Sequence, residues 1–161
     1  MDPFIFFRWL HILAGAAWFG EVMTINFVVI PNLKSMDSAA RPHFIRNIFP
    51  RLFRLASFLA LVSISSGLIN SYLLSGWRDP ARLISTRWGI SILLGGSLAI
   101  GLALFHFFVE RQIEPIASSM NEETSEIEVE NVMKFLGLVP RLGLIVMILI
   151  FILMMYAARG V

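Results

Sequence analysis

Four long apolar runs, at 4–30, 55–77, 88–109 and 135–158, constrain this chain more than any other feature of its sequence. Each is long enough, at about 1.5 Å per residue, to cross a hydrocarbon core of about 30 Å with some tilt. The connections between them are short or amphipathic, so the chain has no material for a separate soluble domain. With 57% hydrophobic and only 15% charged residues, it reads as an all-α integral membrane protein: one transmembrane domain, 1–161, folded as a four-helix bundle. The first run lacks a basic stretch, a short apolar core and a small-residue cleavage site in that order, so it reads as a retained helix and not a signal peptide.

Taken in order, Pro31 and Asn32 stop the first run, and the segment at 35–54 interleaves Phe44, Ile45, Ile48 and Phe49 with Arg41, Arg46 and Arg51. That mixture predicts a short amphipathic helix in the headgroup layer. The second run is uncharged and carries the Ser63-x-x-x-Gly67 pair, a close-packing signal. The stretch 75–87 is short, so the third run returns antiparallel beside the second. Ser91, Gly95, Ala99 and Ala103 recur every four residues along it as a helix-contact ridge. A polar stretch at 110–134 follows, with an amphipathic part over 116–134, and is expected to lie at the surface. Run one ends in IPNL and run two begins FPRLFRL; run three leads into IEPI and run four begins VPRLGL. The layout suggests two repeated helical hairpins.

Topology follows from the basic residues. The side with both long connections carries Lys34, Arg41, Arg46, Arg51, Arg54, Arg111, Lys134 and Arg141; the other carries Arg8, Arg78, Arg82, Arg87 and Arg159. The positive-inside rule then places both termini on the non-cytoplasmic side of the cell membrane. No nucleic-acid-binding motif occurs, and the basic residues cluster at span ends, as membrane anchoring requires. Cysteine is absent, which excludes disulfides, thiolate nucleophiles, iron–sulfur clusters and thiolate metal sites. Redox chemistry in such a chain needs a bound cofactor.

Ionisable groups at membrane depth are costly and usually face a bundle interior, a partner or a cofactor. The first run carries Arg8, His11, Glu21 and Asn26. His11, Ala14, Gly15, Trp18, Val22 and Ile25 share one helical face, and the small pair after His11 leaves a flat slot of the kind a porphyrin plane needs. Histidine is a common axial ligand of haem b, so His11 is the leading candidate for haem iron, with Trp18 lining the site and Arg8 placed to pair with a propionate. Glu21 is expected to be neutral or hydrogen-bonded to a neighbouring helix, which makes it a candidate proton relay. His106 is the second candidate ligand. With Trp18 near mid-span, however, His11 lies about 10 Å to one side of the midplane and His106 about 10 Å to the other, too far apart to sandwich one haem. At the depth of His11 the chain offers Met154 or Met155, Asn70, Ser91 and Arg87. His43, on the side of His106, makes a shared metal or second haem conceivable, although two histidines without a carboxylate at metal spacing are a weak signal.

The phrases RWLHILAGAAWFG, FPRLFRLASFLALVSISSGL and STRWGISILLGG resemble the CopD/HemJ-like superfamily of membrane proteins, which includes the copper-resistance protein CopD, HemJ-type protoporphyrinogen oxidases and the membrane portion of membrane-bound urate oxidases. The resemblance covers the first three runs. It implies a helical bundle binding haem b, with His11 matching the histidine of helix one. Arg87 stands where HemJ-type enzymes carry a lysine at the start of helix three. An arginine is a poor ligand because it stays protonated, but it can hold a propionate.

The function expected from these readings is a haem-b-binding redox or electron-transfer protein, with a quinone, a porphyrin or another membrane subunit as partner. As an enzyme it would be a haem-dependent oxidoreductase. The alternatives are a non-catalytic accessory subunit of a larger membrane complex or homo-oligomer, whose buried polar groups fix helix packing, and a copper-ion transport protein. Copper handling has little to draw on, since Met154-Met155 is no soft-metal tract.

Overall fold

The structure, a computed structural model, describes residues 2–75 and 80–158. Trp77 at the end of the second predicted run, residues 76–79 of the predicted turn, and Arg78 and Arg159 of the charge comparison lie outside the described residues. Helix α1 (Pro3–Thr24) starts on an Asp2 cap, whose carboxylate accepts from the Phe4 N–H at 2.9 Å, with Pro3 in the first turn where its missing N–H costs nothing. It passes through one π turn, Ile25–Val29, into α2 (Ile30–Ser35). After a 3₁₀ turn at Ser38–Ala40 come α3 (Arg41–Ser75), α4 (Pro80–Ser85), α5 (Arg87–Ser119) and α6 (Glu126–Ala158). Among the described residues there is no strand. This is a four-helix membrane bundle.

Four helical units are long and apolar enough to span a membrane: Pro3–Ser35, Ser38–Leu74, Arg87–Ser119 and Glu126–Ala158. Three of them run 33 residues and one runs 37. At about 1.5 Å per residue, 33 residues reach about 50 Å, roughly 20 Å more than a hydrocarbon core needs. The two ends of the bundle account for that surplus differently. Through the membrane, large apolar side chains point outward, among them Phe58, Leu61, Leu104, Phe108, Ile145 and Leu149, as a lipid solvent requires. At the end carrying both long connections the pattern inverts. Leu33, Ile45, Phe49, Met120 and Leu136 are almost wholly buried in one cluster, while Arg46, Arg51 and Arg111 are exposed. That overhang is packed like a soluble helical domain.

The overhang corrects one sequence expectation. Residues 41–54 of the predicted headgroup-layer helix are the first half of α3, and their apolar face (Ile45, Phe49, Phe53) is buried in protein and not in lipid. Pro50 sits inside this helix without ending it, because the packed face on both sides holds the turn that lacks one hydrogen bond. The polar stretch at 110–134 lies largely at the surface, as expected, with an apolar face turned into the core. Helix α5 continues through Pro115 to Ser119, α6 begins at Glu126, and Ile113, Ala117, Val129 and Val132 are core.

The most extensive packing is α1 on α3 and α5 on α6, the two predicted hairpins, which meet through α3 and α5; α1 and α6 touch along a narrower seam. The small-residue ridges are where these contacts form. Trp18 occupies the centre of the bundle among Ala56, Ala60, Ala103, Met147 and Ile150. Three alanines make the room one indole takes.

Candidate functional site

The polar side chains inside the bundle fall at two levels along the membrane normal. The level nearer the N-terminus of α1 is built on His11. Its Nδ1 lies 2.8 Å from the Ser63 backbone carbonyl on α3. A carbonyl only accepts, so Nδ1–H donates and the neutral ring carries its lone pair on Nε2. The ring seats against Gly67: a Cβ there would lie 2.8 Å from His11 Cε1 and 2.9 Å from Nδ1. Gly15, one turn along α1, faces the Ser63 hydroxyl, which a Cβ at Gly15 would meet at 3.4 Å. Ser66 Oγ also donates to the Ser63 carbonyl, at 3.1 Å. Asn70, a turn farther along α3, keeps a buried Oδ1 with no hydrogen-bond partner.

The level nearer the overhang is built on Glu21 and His106. Glu21 is 8% exposed, and its Oε1 is buried with no hydrogen-bond partner. His106 Nε2 lies 3.0 Å from Ser57 Oγ, 3.3 Å from the Phe53 carbonyl and 3.8 Å from Glu110 Oε2. The Phe53 carbonyl can only accept, so Nε2–H donates to it and to Ser57 Oγ. Ser57 O–H in turn donates to Glu110 Oε2 at 2.5 Å. The result is a directed chain from imidazole to hydroxyl to carboxylate across α3 and α5. Glu110 is half-buried and faces the overhang, with 21% of its side chain exposed. The register of α1 on α3 puts the two parts together. Gly15 meets Ser63, so in this antiparallel pair Glu21, six residues on, is level with Ser57, six residues back.

A π turn lies one turn beyond Glu21, and such turns concentrate where a helix must re-aim side chains. Here it turns Asn26 toward α6. Its Nδ2 donates to the Val22 carbonyl at 2.8 Å and to the Pro140 carbonyl at 2.9 Å. One amide thereby ties α1 to α6 across their narrow seam.

The sequence-predicted ligand set is not brought together. Trp18 is core. Arg8 and Arg87 are exposed, and Arg87 opens α5 behind a Thr86 cap, whose Oγ1 accepts from Gly89 N–H at 3.0 Å. Met154 reaches into the notch at Gly95, where a Cβ would stand 2.6 Å from its Cε, and Met155 is exposed. Ser57 and Ser63, the α3 contacts of the two histidines, are six residues apart, about 9 Å of helix, so His11 and His106 lie at different levels. His43 is exposed on the first turn of α3, bonded to Asn47 at 2.9 Å. It stands fourteen residues from Ser57, about 21 Å along the helix. The shared His43–His106 site is therefore not formed. Among the described residues no group of three or more His, Cys, Asp or Glu side chains could hold a metal ion.

Haem b asks for a planar slot beside His11. In the packed bundle Gly67 and Ser63 of α3 occupy the ring edge and the Gly15 face, and the Trp18 indole fills the space toward mid-span. A porphyrin beside His11 would need α1 and α3 to stand farther apart at Gly67 than they do in this packing. Sequence reasoning missed Ser57 and Glu110, although Glu110 follows His106 at i+4, a spacing that puts both on one helix face.

No curated protein and no solved structure matches this chain. The family described as "Domain of unknown function (DUF4149)" matches residues 13–122, which span the C-terminal half of α1, the whole of α3 and α5, and both polar levels apart from His11 itself. The chain belongs to that family.

Proposed function

We propose that this chain is a multi-pass cell-membrane subunit that handles a proton at Glu21. It sits with both termini on the non-cytoplasmic side and works with other membrane subunits or copies of itself. The observation that carries the reading is the Glu21 carboxyl: buried at mid-bundle, with one oxygen unpartnered, in a place where a purely structural carboxyl would be hydrogen-bonded. Intramembrane carboxyls mark proton and ion pathways for this reason. Level with it lies the His106–Ser57–Glu110 chain, whose last member is partly open toward the overhang. A proton leaving Glu21 has acceptors at its own depth. The basic residues at the overhang, Lys34, Arg41, Arg46, Arg51, Arg54, Arg111, Lys134 and Arg141, against Arg8, Arg82 and Arg87 at the other end, support the orientation.

Infrared difference spectroscopy of the protein in bilayers tests this. A protonated-carboxyl band that changes with pH and vanishes in Glu21→Gln is expected. A band that is present but indifferent to pH, or no difference between Glu21→Gln and wild type, overturns it.

Haem b binding, implied by the resemblance to the CopD/HemJ-like superfamily, is the second reading, with a quinone or a porphyrin as partner. What favours it is His11 Nδ1 donating to a carbonyl, the arrangement in which a histidine offers Nε2 to iron. It requires α1 and α3 to part at Gly67. A reduced-minus-oxidised b-type spectrum lost in His11→Ala supports this reading; purified, folded protein without one removes it.

A further inference from the structure

Where the overhang meets the apolar belt, α2 and α6 enclose a groove of about 330 Å³ lined by Lys34, Glu130, Lys134, Gly137, Leu138 and Arg141. We propose that this groove binds the phosphate headgroup of an anionic phospholipid. Lys134 and Arg141 are seven residues apart on α6, so they share one face two turns apart, with Gly137 and Leu138 between them. Lys34, at the end of α2, closes the groove from the other side. Only one of the three cations is neutralised. Lys134 Nζ lies 3.2 Å from Glu130 Oε1, while Lys34 and Arg141 have no ion-pair partner among the described residues.

Gly137 keeps the groove open. It is buried, yet a Cβ there would meet nothing within 4 Å, so the space above it is unfilled by protein. The position of the groove selects a lipid over a free anion. Leu138 (57% exposed), Leu142 (47%) and Ile145 (57%) continue up the same helix into the belt and offer an apolar track to the acyl chains of whatever seats its phosphate between the cations. Basic pockets between transmembrane helices hold anionic headgroups in this manner.

Native mass spectrometry of the purified protein, equilibrated with equal amounts of phosphatidylglycerol and phosphatidylcholine, reads the site directly. Wild type is expected to retain phosphatidylglycerol over phosphatidylcholine by about tenfold. Lys34→Gln with Arg141→Gln, and separately Gly137→Leu, which fills the groove without touching its charges, are each expected to bring the ratio near one. Helix content by circular dichroism checks that each variant is folded, and Gly137→Leu carries the test if the double variant is not. No preference in wild type, or a preference unchanged in Gly137→Leu, overturns the proposal. Release of bound phosphatidylglycerol by millimolar inorganic phosphate would make it a free-phosphate site and overturn the lipid assignment.

Discussion

Replacing Gly67 by alanine adds one methyl group at the place where α3 receives the His11 ring. A Cβ there would stand 2.8 Å from Cε1 and 2.9 Å from Nδ1, about 0.6 Å inside ordinary contact, which begins near 3.4 Å. The imidazole cannot swing away at no cost, because Nδ1 is bonded to the Ser63 carbonyl at 2.8 Å. Overpacking of this kind costs about 1–3 kcal/mol, and losing the interhelical hydrogen bond adds about 0.6 kcal/mol in a membrane bundle. The helix propensity of alanine over glycine returns about 1 kcal/mol. The net expectation is a loss of about 0.5–2.5 kcal/mol, or about 1–10 °C in Tm for a chain of this size, read by thermal unfolding in detergent. Gly96→Ala and Gly101→Ala are the controls: a Cβ at either meets nothing within 4 Å, so both should be neutral or slightly stabilising. In a His11→Ala background the clash has no partner, and Gly67→Ala should become as benign as the controls. A Gly67→Ala penalty that is absent, or that persists unchanged without the imidazole, refutes the seating of His11 between the helices.

Two further substitutions probe other contacts. Asn26→Leu removes the donor shared by the Val22 and Pro140 carbonyls and should lower stability by about 1–2 kcal/mol, measured by the same unfolding assay; an unchanged Tm contradicts the α1–α6 tie. Gly95→Ala meets the flexible Met154 Cε at 2.6 Å and the Leu153 Cβ at an ordinary contact of 3.4 Å, so its cost should stay below about 1 kcal/mol and disappear with Met154→Ala, whereas a loss as large as that of Gly67→Ala would show the notch to be rigid.

The membrane fold was legible because lipid imposes one rule on every residue: apolar runs of sufficient length must be helices. The helix contacts were partly legible for the same reason. Ser63, Gly67, Gly95 and Ala103 are small because something approaches there, and His11, Met154 and Trp18 are what approaches. The overhang was not legible. Arg41, Arg46 and Arg51 interleaved with apolar residues read as a short helix in the headgroup layer, yet Ile45, Phe49 and Phe53 keep helical spacing on into the second run, and tertiary burial of that face decided the matter. The slot read beside His11 rests on one helix, and small residues open space equally for a cofactor and for a neighbouring helix. Only the partner helix distinguishes the two. Ser57 and Glu110 were overlooked because a hydroxyl and a carboxylate on different helices become one chain only when α3 and α5 are in register.

The proton inventory of the folded protein in bilayers tests the central claim most directly. Wild type and Glu21→Gln are titrated potentiometrically, side by side, across the pH range in which both remain helical. Wild type is expected to take up one more proton per chain than the variant, reversibly. Superimposable titration curves would mean that Glu21 never exchanges its proton, and would contradict the account.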